Sequence, residues 1–132
     1  MKKSLFFALL LLLSAREAEA MDVEAYRAFK EQSEDLNTLE GQLASISLKS
    51  YFQGISETIA VLRAANHDRI ELPAGLAICA PKDVPVSAQL LDIAVTQETV
   101  TNVKIYQGDH GWEKVALGTY ALIGLARMFP CR

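Results

Sequence analysis

Apolar residues recur at helical spacing over most of the chain. In residues 22–31, Val23, Tyr26 and Phe29 lie three apart, with charged residues between them. This spacing predicts one side of a short amphipathic helix, and a core position is the default for all three side chains.

A longer helical pattern covers residues 37–65 and contains two apolar stripes. Asn37 is a candidate N-cap, with Glu40 three residues later. The first stripe consists of Leu39, Leu43 and Ile46, and the second consists of Leu48, Phe52, Ile55, Ile59 and Leu62. The stripes are out of phase because only two positions separate them. Either the helix breaks in the serine-rich stretch 45–50, or its two halves face different neighbours.

The middle of the chain is less regular. Residues 66–86 hold three of the four prolines and many turn formers, so they predict a connecting segment. Residues 87–98 predict a helix whose inward positions are Leu90, Leu91, Ala94 and Val95. Residues 95–106 are rich in Val, Ile and Thr, whose propensity favours extended structure. Helix and strand both stay open for this stretch.

The last helical pattern covers residues 112–129, with Asp109 as a candidate N-cap. One side carries Trp112, Val115, Ala116, Ile123, Ala126 and Phe129, and another carries Leu117, Ala121, Leu125 and Met128. Apolar residues all round predict a helix that is central in the domain or shared across a subunit interface. Gly118 and Gly124 predict close backbone packing, since glycine costs about 1 kcal/mol against alanine in a helix.

The N-terminus has the pattern of a secretory signal peptide. Lys2 and Lys3 precede an apolar run at 5–13, which is too short to span a bilayer. Ala18-Glu19-Ala20 fits the small-x-small cleavage pattern. We therefore expect a signal peptide at 1–20, a mature chain in the periplasm, and no membrane attachment after cleavage.

The remaining residues 21–132 are enough for one compact domain. Cleavage removes three basic and two acidic residues, which leaves 10 basic and 14 acidic residues and a formal charge of −4. A mildly acidic surface disfavours nucleic acid as a partner.

The chain has two cysteines, Cys79 and Cys131. In an oxidising compartment this pair is a candidate disulfide, which would close a loop of about 50 residues. A buried thiol pair and an intermolecular bridge through Cys131 are the alternatives.

Candidate catalytic chemistry is sparse. His67 and His110 each lie beside an aspartate, but neither has a second ligand at metal spacing. The chain lacks the G-x-S-x-G, Walker and H-E-x-x-H motifs. We therefore expect a binding protein with no cofactor rather than an enzyme.

The order of several short motifs resembles the Rap/Tai group of bacterial immunity proteins, which guard against amidases delivered by type VI secretion. The resemblance covers roughly residues 45–132 and follows the group's pattern of Tyr-x-x-Gly, Cys-x-Pro with a following Val and Gln-Leu, and a C-terminal Phe-Pro-Cys. The matching residues are Tyr51, Gly54, Cys79, Pro81, Val84, Gln89, Leu90, Phe129, Pro130 and Cys131.

This resemblance implies a small all-α domain of four to five helices with one intramolecular disulfide, Cys79–Cys131. It also implies a periplasmic protein, often a homodimer, that binds a cell-wall amidase and blocks the cleft of its active site. For residues 87–98 it favours helix over strand.

An inhibitor of this kind needs a protruding segment that is fixed before it binds. Residues 66–72 and 106–112 are the two candidates. Their proposed contact residues are His67, Asp68, Arg69, Tyr106, Asp109, His110 and Trp112. Core packing is the competing interpretation for Tyr106 and Trp112. An alternative function is a periplasmic structural or assembly factor that holds another protein through its apolar C-terminal helix, without inhibition.

Overall fold

A computed structural model of the protein describes residues 20–131, so the predicted signal peptide, except Ala20, lies outside the described residues. A small helical domain fills this part of the chain. Its helices are α1 (Val23–Gln32), α2 (Leu39–Ala65), α3 (Ala88–Thr96) and α4 (Leu117–Met128). No helix in residues 20–131 is long and apolar enough to cross a membrane.

The domain is not strictly all-α, because a short hairpin lies between α2 and α3. Strand β1 (Ile70–Glu71) pairs antiparallel with strand β2 (Ala77–Ile78). The chain reverses through Ala74 and Gly75, which both have a positive φ. Ile70 and Ile78 face each other across the hairpin and are buried, so the hairpin closes one end of the core.

The first two helices begin at side-chain caps. The Asp22 carboxylate accepts a hydrogen bond from the backbone N–H of Ala25 at 2.8 Å, which starts α1 as the pattern predicts. Helix α2 is capped by Thr38 rather than Asn37, since the Thr38 hydroxyl accepts from the N–H of Gly41 at 3.0 Å. A Cβ at position 41 would lie 1.9 Å from the carbonyl oxygen of Asp35, so only glycine fits this tight connection.

Helix α2 runs without a break through the serine-rich stretch. Its second stripe enters the core, where Leu48, Phe52 and Ile59 are buried. The first stripe lies on the opposite side of the helix, and its members Leu39, Leu43 and Ile46 remain more than half exposed. The two stripes therefore face different surroundings, the second facing the core and the first mainly solvent.

Residues 95–106 are helical and not extended. After α3 the chain continues through a π-helical turn (Gln97–Thr101) and a 3₁₀ turn (Val103–Ile105). The Thr99 hydroxyl donates to the carbonyl of Val95 at 2.9 Å, which satisfies this buried side chain within the helix. A strand at this position would need a neighbouring strand to pair with, and the described domain offers none. Tertiary packing therefore overrides the β-propensity of the β-branched residues.

Helix α4 starts later than predicted, and Asp109 is not its N-cap. Gly111 is left-handed (φ 89°) and Trp112–Lys114 form only a 3₁₀ turn. The chain then pairs with the start of the described chain through a bridge between Asp22 and Ala116. The N–H of Leu117 donates to the carbonyl of Met21 at 2.7 Å. This pairing keeps the backbone extended until α4 begins.

Helix α4 is the central element, as one of the two alternatives for it predicts. Its buried residues are Leu117, Tyr120, Ala121, Gly124, Leu125 and Ala126. A Cβ at Gly124 would lie 2.6 Å from the carbonyl oxygen of Ala94, so α4 and α3 touch backbone to backbone at this point. One side of this helix is therefore buried in the core, whereas Leu122, Ile123 and Met128 are only half-buried.

The predicted disulfide is present. Cys79 and Cys131 are bonded, with their Cα atoms 5.0 Å apart. The N–H of Cys79 donates to the carbonyl of Phe129 at 2.9 Å, and Ile78 pairs with Pro130. The chain thus leaves α4 and is fixed at once to the hairpin.

Candidate functional site

The segment after α2 carries two adjacent non-glycine residues in the left-handed conformation. His67 has φ 52° and Asp68 has φ 66°. Each such residue costs about 1–2 kcal/mol, so the conformation persists only where other contacts impose it. Backbone strain of this kind is typical of binding loops, and His67 is exposed at its surface.

Arg63, in the last turn of α2, bonds both to this segment and to residues 80–84. Its carbonyl accepts from the N–H of Asp68 at 2.9 Å. Its guanidinium donates to three carbonyl oxygens of the segment that follows the hairpin: Val84 at 2.9 Å, Pro81 at 2.8 Å and Ala80 at 3.2 Å. We call residues 66–69 and 80–84, which Arg63 joins, the Arg63 loop surface.

Charges on the Arg63 loop surface are paired around Asp68. The Nε of Arg63 lies 3.5 Å from the Asp68 carboxylate, and Lys82 lies 3.6 Å from it on the other side. That Nε is buried and has no hydrogen-bond partner among the described residues, so the 3.5 Å approach is an ion pair without a full hydrogen bond. The surface therefore has a hydrogen-bonded backbone, a partly buried carboxylate at Asp68 and an exposed imidazole at the adjacent His67.

Arg69 does not join this network. Its guanidinium pairs with Glu71 at 2.5 Å, and both side chains are more than half exposed. A solvent-exposed pair contributes only about 0–1 kcal/mol to stability. Arg69 is therefore available to a partner at little cost to the fold.

The second candidate segment, residues 106–112, is built on an aromatic cluster. Tyr106 stacks on Trp112 with centroids 6.1 Å apart, and both rings meet Tyr120 edge to face. Arg27 of α1 lies over the Trp112 ring at 5.3 Å. The two aromatics are half-buried, so core packing accounts for much of their surface.

Asp109 and His110 lie at the tip of this segment and are exposed. The N–H of Asp109 donates to the carbonyl of Tyr106 at 2.9 Å, which closes the turn. No hydrogen bond from either side chain to another described residue fixes its position. The polar tip is thus held through its backbone alone, less firmly than the Arg63 loop surface.

A buried glutamate, absent from the sequence-based candidates, supports this second segment. Glu98 is fully buried in the π-helical turn. Its carboxylate accepts from the Tyr106 hydroxyl at 2.5 Å and from the Asn102 side chain at 2.9 Å, and it pairs with Arg127 at 3.1 Å. Burial, and then the bond to Glu98, raise the pKa of Tyr106 to about 12. In the sequence, only Arg127 could have indicated a buried acidic partner, because it is the single charged residue of α4.

The structure does not bring the two candidate segments together. Residues 66–72 include strand β1 of the hairpin, which is fixed to Pro130 beyond the C-terminal end of α4. Tyr106 and Trp112 instead pack on Tyr120, in the first half of α4. No hydrogen bond, ion pair or aromatic contact within residues 20–131 links them, so each is a separate candidate surface.

The motif residues that carry the family resemblance have structural contacts. The Tyr51 hydroxyl accepts from the N–H of Gly118 at 3.1 Å, and burial raises the pKa of Tyr51. Phe129 and Pro130 fix the end of the chain to the hairpin, and Pro81 accepts from Arg63. Gly54 is exposed, at a groove of about 370 Å³ between α2 and α4. Of these residues only Pro81 belongs to a candidate surface, the Arg63 loop surface.

Residues 20–131 contain no group of three or more His, Cys, Asp or Glu side chains that could hold a metal ion. The surface pockets of the described residues are open to solvent. One of about 1000 Å³ lies beside Met21, Tyr51 and Lys114, where the described chain begins.

No family model matches the chain, and no curated protein and no solved structure matches it with significance. The resemblance to the Rap/Tai group therefore rests on the motif residues alone.

Proposed function

We propose that the mature chain is a periplasmic immunity protein, which binds and inhibits a peptidoglycan amidase delivered by type VI secretion. The observation that carries this proposal is the exposed His67 on a loop with a left-handed backbone, which contacts Arg63 through the N–H and the carboxylate of Asp68. The predicted signal peptide, the disulfide and the order of the Rap/Tai-like motifs support the same function.

The physical requirement on such an inhibitor is a segment that loses little entropy when it enters a cleft. The Arg63 loop surface meets this requirement because its backbone is held by bonds to both the 66–69 and the 80–84 segments. Residues 106–112 form the second candidate contact, through Asp109, His110 and the exposed parts of Tyr106 and Trp112.

The direct test is inhibition of purified cysteine–histidine amidases of type VI secretion, measured as hydrolysis of purified peptidoglycan. We expect the oxidised mature chain to inhibit one of them. His67→Ala should weaken inhibition by about tenfold, a loss of about 1.4 kcal/mol of binding energy. The matched control is His110→Ala, the same change at the exposed histidine of the other segment.

Variants in the two segments also show which surface contacts the amidase. If His110→Ala and Asp109→Ala weaken inhibition and His67→Ala does not, residues 106–112 form the contact. If they leave binding unchanged while Trp112→Ala unfolds the protein, Trp112 belongs to the core and the second segment is excluded. Failure to capture any hydrolase from oxidised periplasmic extract, together with failure to rescue cells from any such amidase, would overturn the immunity function.

A further inference from the structure

A pocket of about 350 Å³ lies between α1, α2 and the start of α3. Its floor is apolar and belongs to the core, where Leu48 is 7% exposed and Phe52 is 2% exposed. Ala88, the first residue of α3, also lines it. Small-ligand pockets have volumes of roughly 300–1,000 Å³ and combine an apolar lining with a few polar groups. This pocket is at the small end of that range.

Two lysines from neighbouring helices lie at the rim of this pocket, which we call the lysine pocket. Lys30 comes from α1 and Lys49 from α2, and the half-buried Ser33 and Ser45 lie on the same lining. Lys49 forms no ion pair with another described residue. Its ammonium, which has three N–H donors and no acceptor, is therefore available to an anionic ligand.

The aspartate on the lining of the lysine pocket is already bound through both oxygens. One oxygen of Asp92 accepts from the Tyr26 hydroxyl at 2.6 Å, and the other pairs with Lys30 at 2.5 Å. The Lys30 ammonium also lies 5.9 Å from the centre of the Tyr26 ring, so it has a defined position at the rim. Two lysines against one aspartate leave the lining with a formal charge of +1.

We propose that the lysine pocket binds the free carboxylate end of a short peptide with small apolar side chains. The carboxylate binds Lys30 and Lys49, and the last side chain contacts Leu48 and Phe52. Hydrogen bonds between ammonium and carboxylate groups are about twice as strong as neutral ones. A bare inorganic anion would leave the apolar floor in water, and a purely apolar ligand would cover the ammonium groups without pairing them. The lining therefore fits a ligand that carries both groups.

The predicted compartment offers two sources of this chemistry. Stem peptides of the cell wall end in D-alanine, and peptides released from proteins end in L-residues. Both present a carboxylate beside a small side chain, so the ligand's stereochemistry distinguishes them. The inference does not depend on the proposed function, because no residue of 66–72 or 106–112 lines the lysine pocket.

The openness of the lysine pocket sets the expected affinity. Lys49 is exposed, so its attraction to a carboxylate is screened by water and ordering its side chain costs entropy. We therefore expect a dissociation constant of about 0.1–1 mM for a dipeptide.

The test is a titration of the ¹⁵N-labelled, oxidised mature chain with N-acetyl-D-alanyl-D-alanine and with its L isomer, followed by amide chemical shifts. We expect saturable shifts in residues 45–52 and 88–92 with at least one isomer, and the tighter isomer identifies the source. The C-terminal amide of the same peptide, acetate and inorganic phosphate should each bind about tenfold more weakly, because each lacks the carboxylate or the apolar group.

A lysine substitution tests the site itself. Lys49→Met removes the unpaired ammonium and keeps a long side chain, so it should weaken binding by about fivefold or more. The matched control is Lys104→Met, the same change at an exposed lysine that lies outside the pocket and has no ion pair with a described residue. It should leave binding unchanged.

Three results would overturn the proposal. The first is no saturable shift with either isomer up to about 20 mM. The second is binding of acetate or phosphate as tightly as the peptides, which would show attraction of anions in general. The third is equal binding by Lys49→Met and the wild type. None of these results bears on amidase inhibition, so the lysine pocket and the immunity function can fail separately.

Discussion

The carboxylate of Glu98 and the guanidinium of Arg127 form an ion pair at 3.1 Å across the junction between the π-helical turn and α4. Glu98 is fully buried, whereas the Arg127 side chain is 45% exposed. The Tyr106 hydroxyl donates to the other oxygen of the same carboxylate, so the buried charge has two partners.

Removing Arg127 should be costly because it leaves the buried carboxylate with fewer partners. We expect Arg127→Met to lower the free energy of unfolding by about 2 kcal/mol, less than for a fully buried pair because water reaches the guanidinium. Urea unfolding of the oxidised protein measures this. The double variant Glu98→Gln with Arg127→Met should recover part of the loss. A double variant no more stable than Arg127→Met would contradict the pairing.

Stability should fall at alkaline pH. Tyr106 has a pKa raised to about 12, whereas an unfolded tyrosine ionises near 10. Its contribution is therefore complete below pH 10 and is lost as the pH rises towards 12, because only the unfolded state then releases the proton. Tyr26, whose pKa is also raised, should add to the same loss. Tyr106→Phe should make the fall between pH 10 and 12 shallower, as measured by urea midpoints; an unchanged slope would show that Tyr106 does not contribute.

The two glycines of α4 form a matched pair. A Cβ at Gly124 would collide with the backbone of Ala94, whereas at Gly118 the nearest atom, the Tyr51 hydroxyl oxygen, is 3.5 Å away. Gly124→Ala should destabilise the protein by about 2 kcal/mol through overpacking. Gly118→Ala should be neutral or stabilising by up to about 1 kcal/mol. Thermal unfolding of both variants checks the prediction, and equal effects would argue against the close contact of α3 and α4.

The disulfide should contribute a large part of the free energy of unfolding. Cys79 and Cys131 are 52 positions apart, and closing such a loop removes about 4 kcal/mol of chain entropy from the unfolded state. The variant with serine at both positions should lose most of this amount. Thiol labelling of the native, unreduced protein should detect neither cysteine, and labelling of either would contradict the bond.

The Arg63 loop surface should depend on one guanidinium. Arg63→Lys cannot reach three carbonyl oxygens at once, so we expect faster amide hydrogen exchange in residues 66–69 and 80–84. Arg69→Lys is the control, because the exposed pair of Arg69 with Glu71 holds no backbone. Equal protection in both variants would mean that the loop is fixed by other contacts.

The candidate surfaces could be named from the sequence only as segments. Turn formers located His67 and Asp109 in connecting stretches, but no periodic signal reports a left-handed backbone or an arginine that bonds to carbonyls 17 to 21 positions away. Glu98 was missed for a similar reason. Its partners Tyr106 and Arg127 are non-local, and its neighbours Thr99 and Val100 have β-propensity that suggested a strand.

The sequence by itself determined the helices, the cysteine pair and the connecting segment, because these depend on local spacing, capping residues and the number of available thiols. Tertiary structure decided where α4 begins, since Ala116 pairs with Asp22 before the helix starts. It also decided that residues 97–105 stay helical, because a strand there has no partner in the described domain. Finally, it buried one side of α4 and left Leu39, Leu43 and Ile46 largely in solvent, which depends on how the helices pack and not on how apolar each one is.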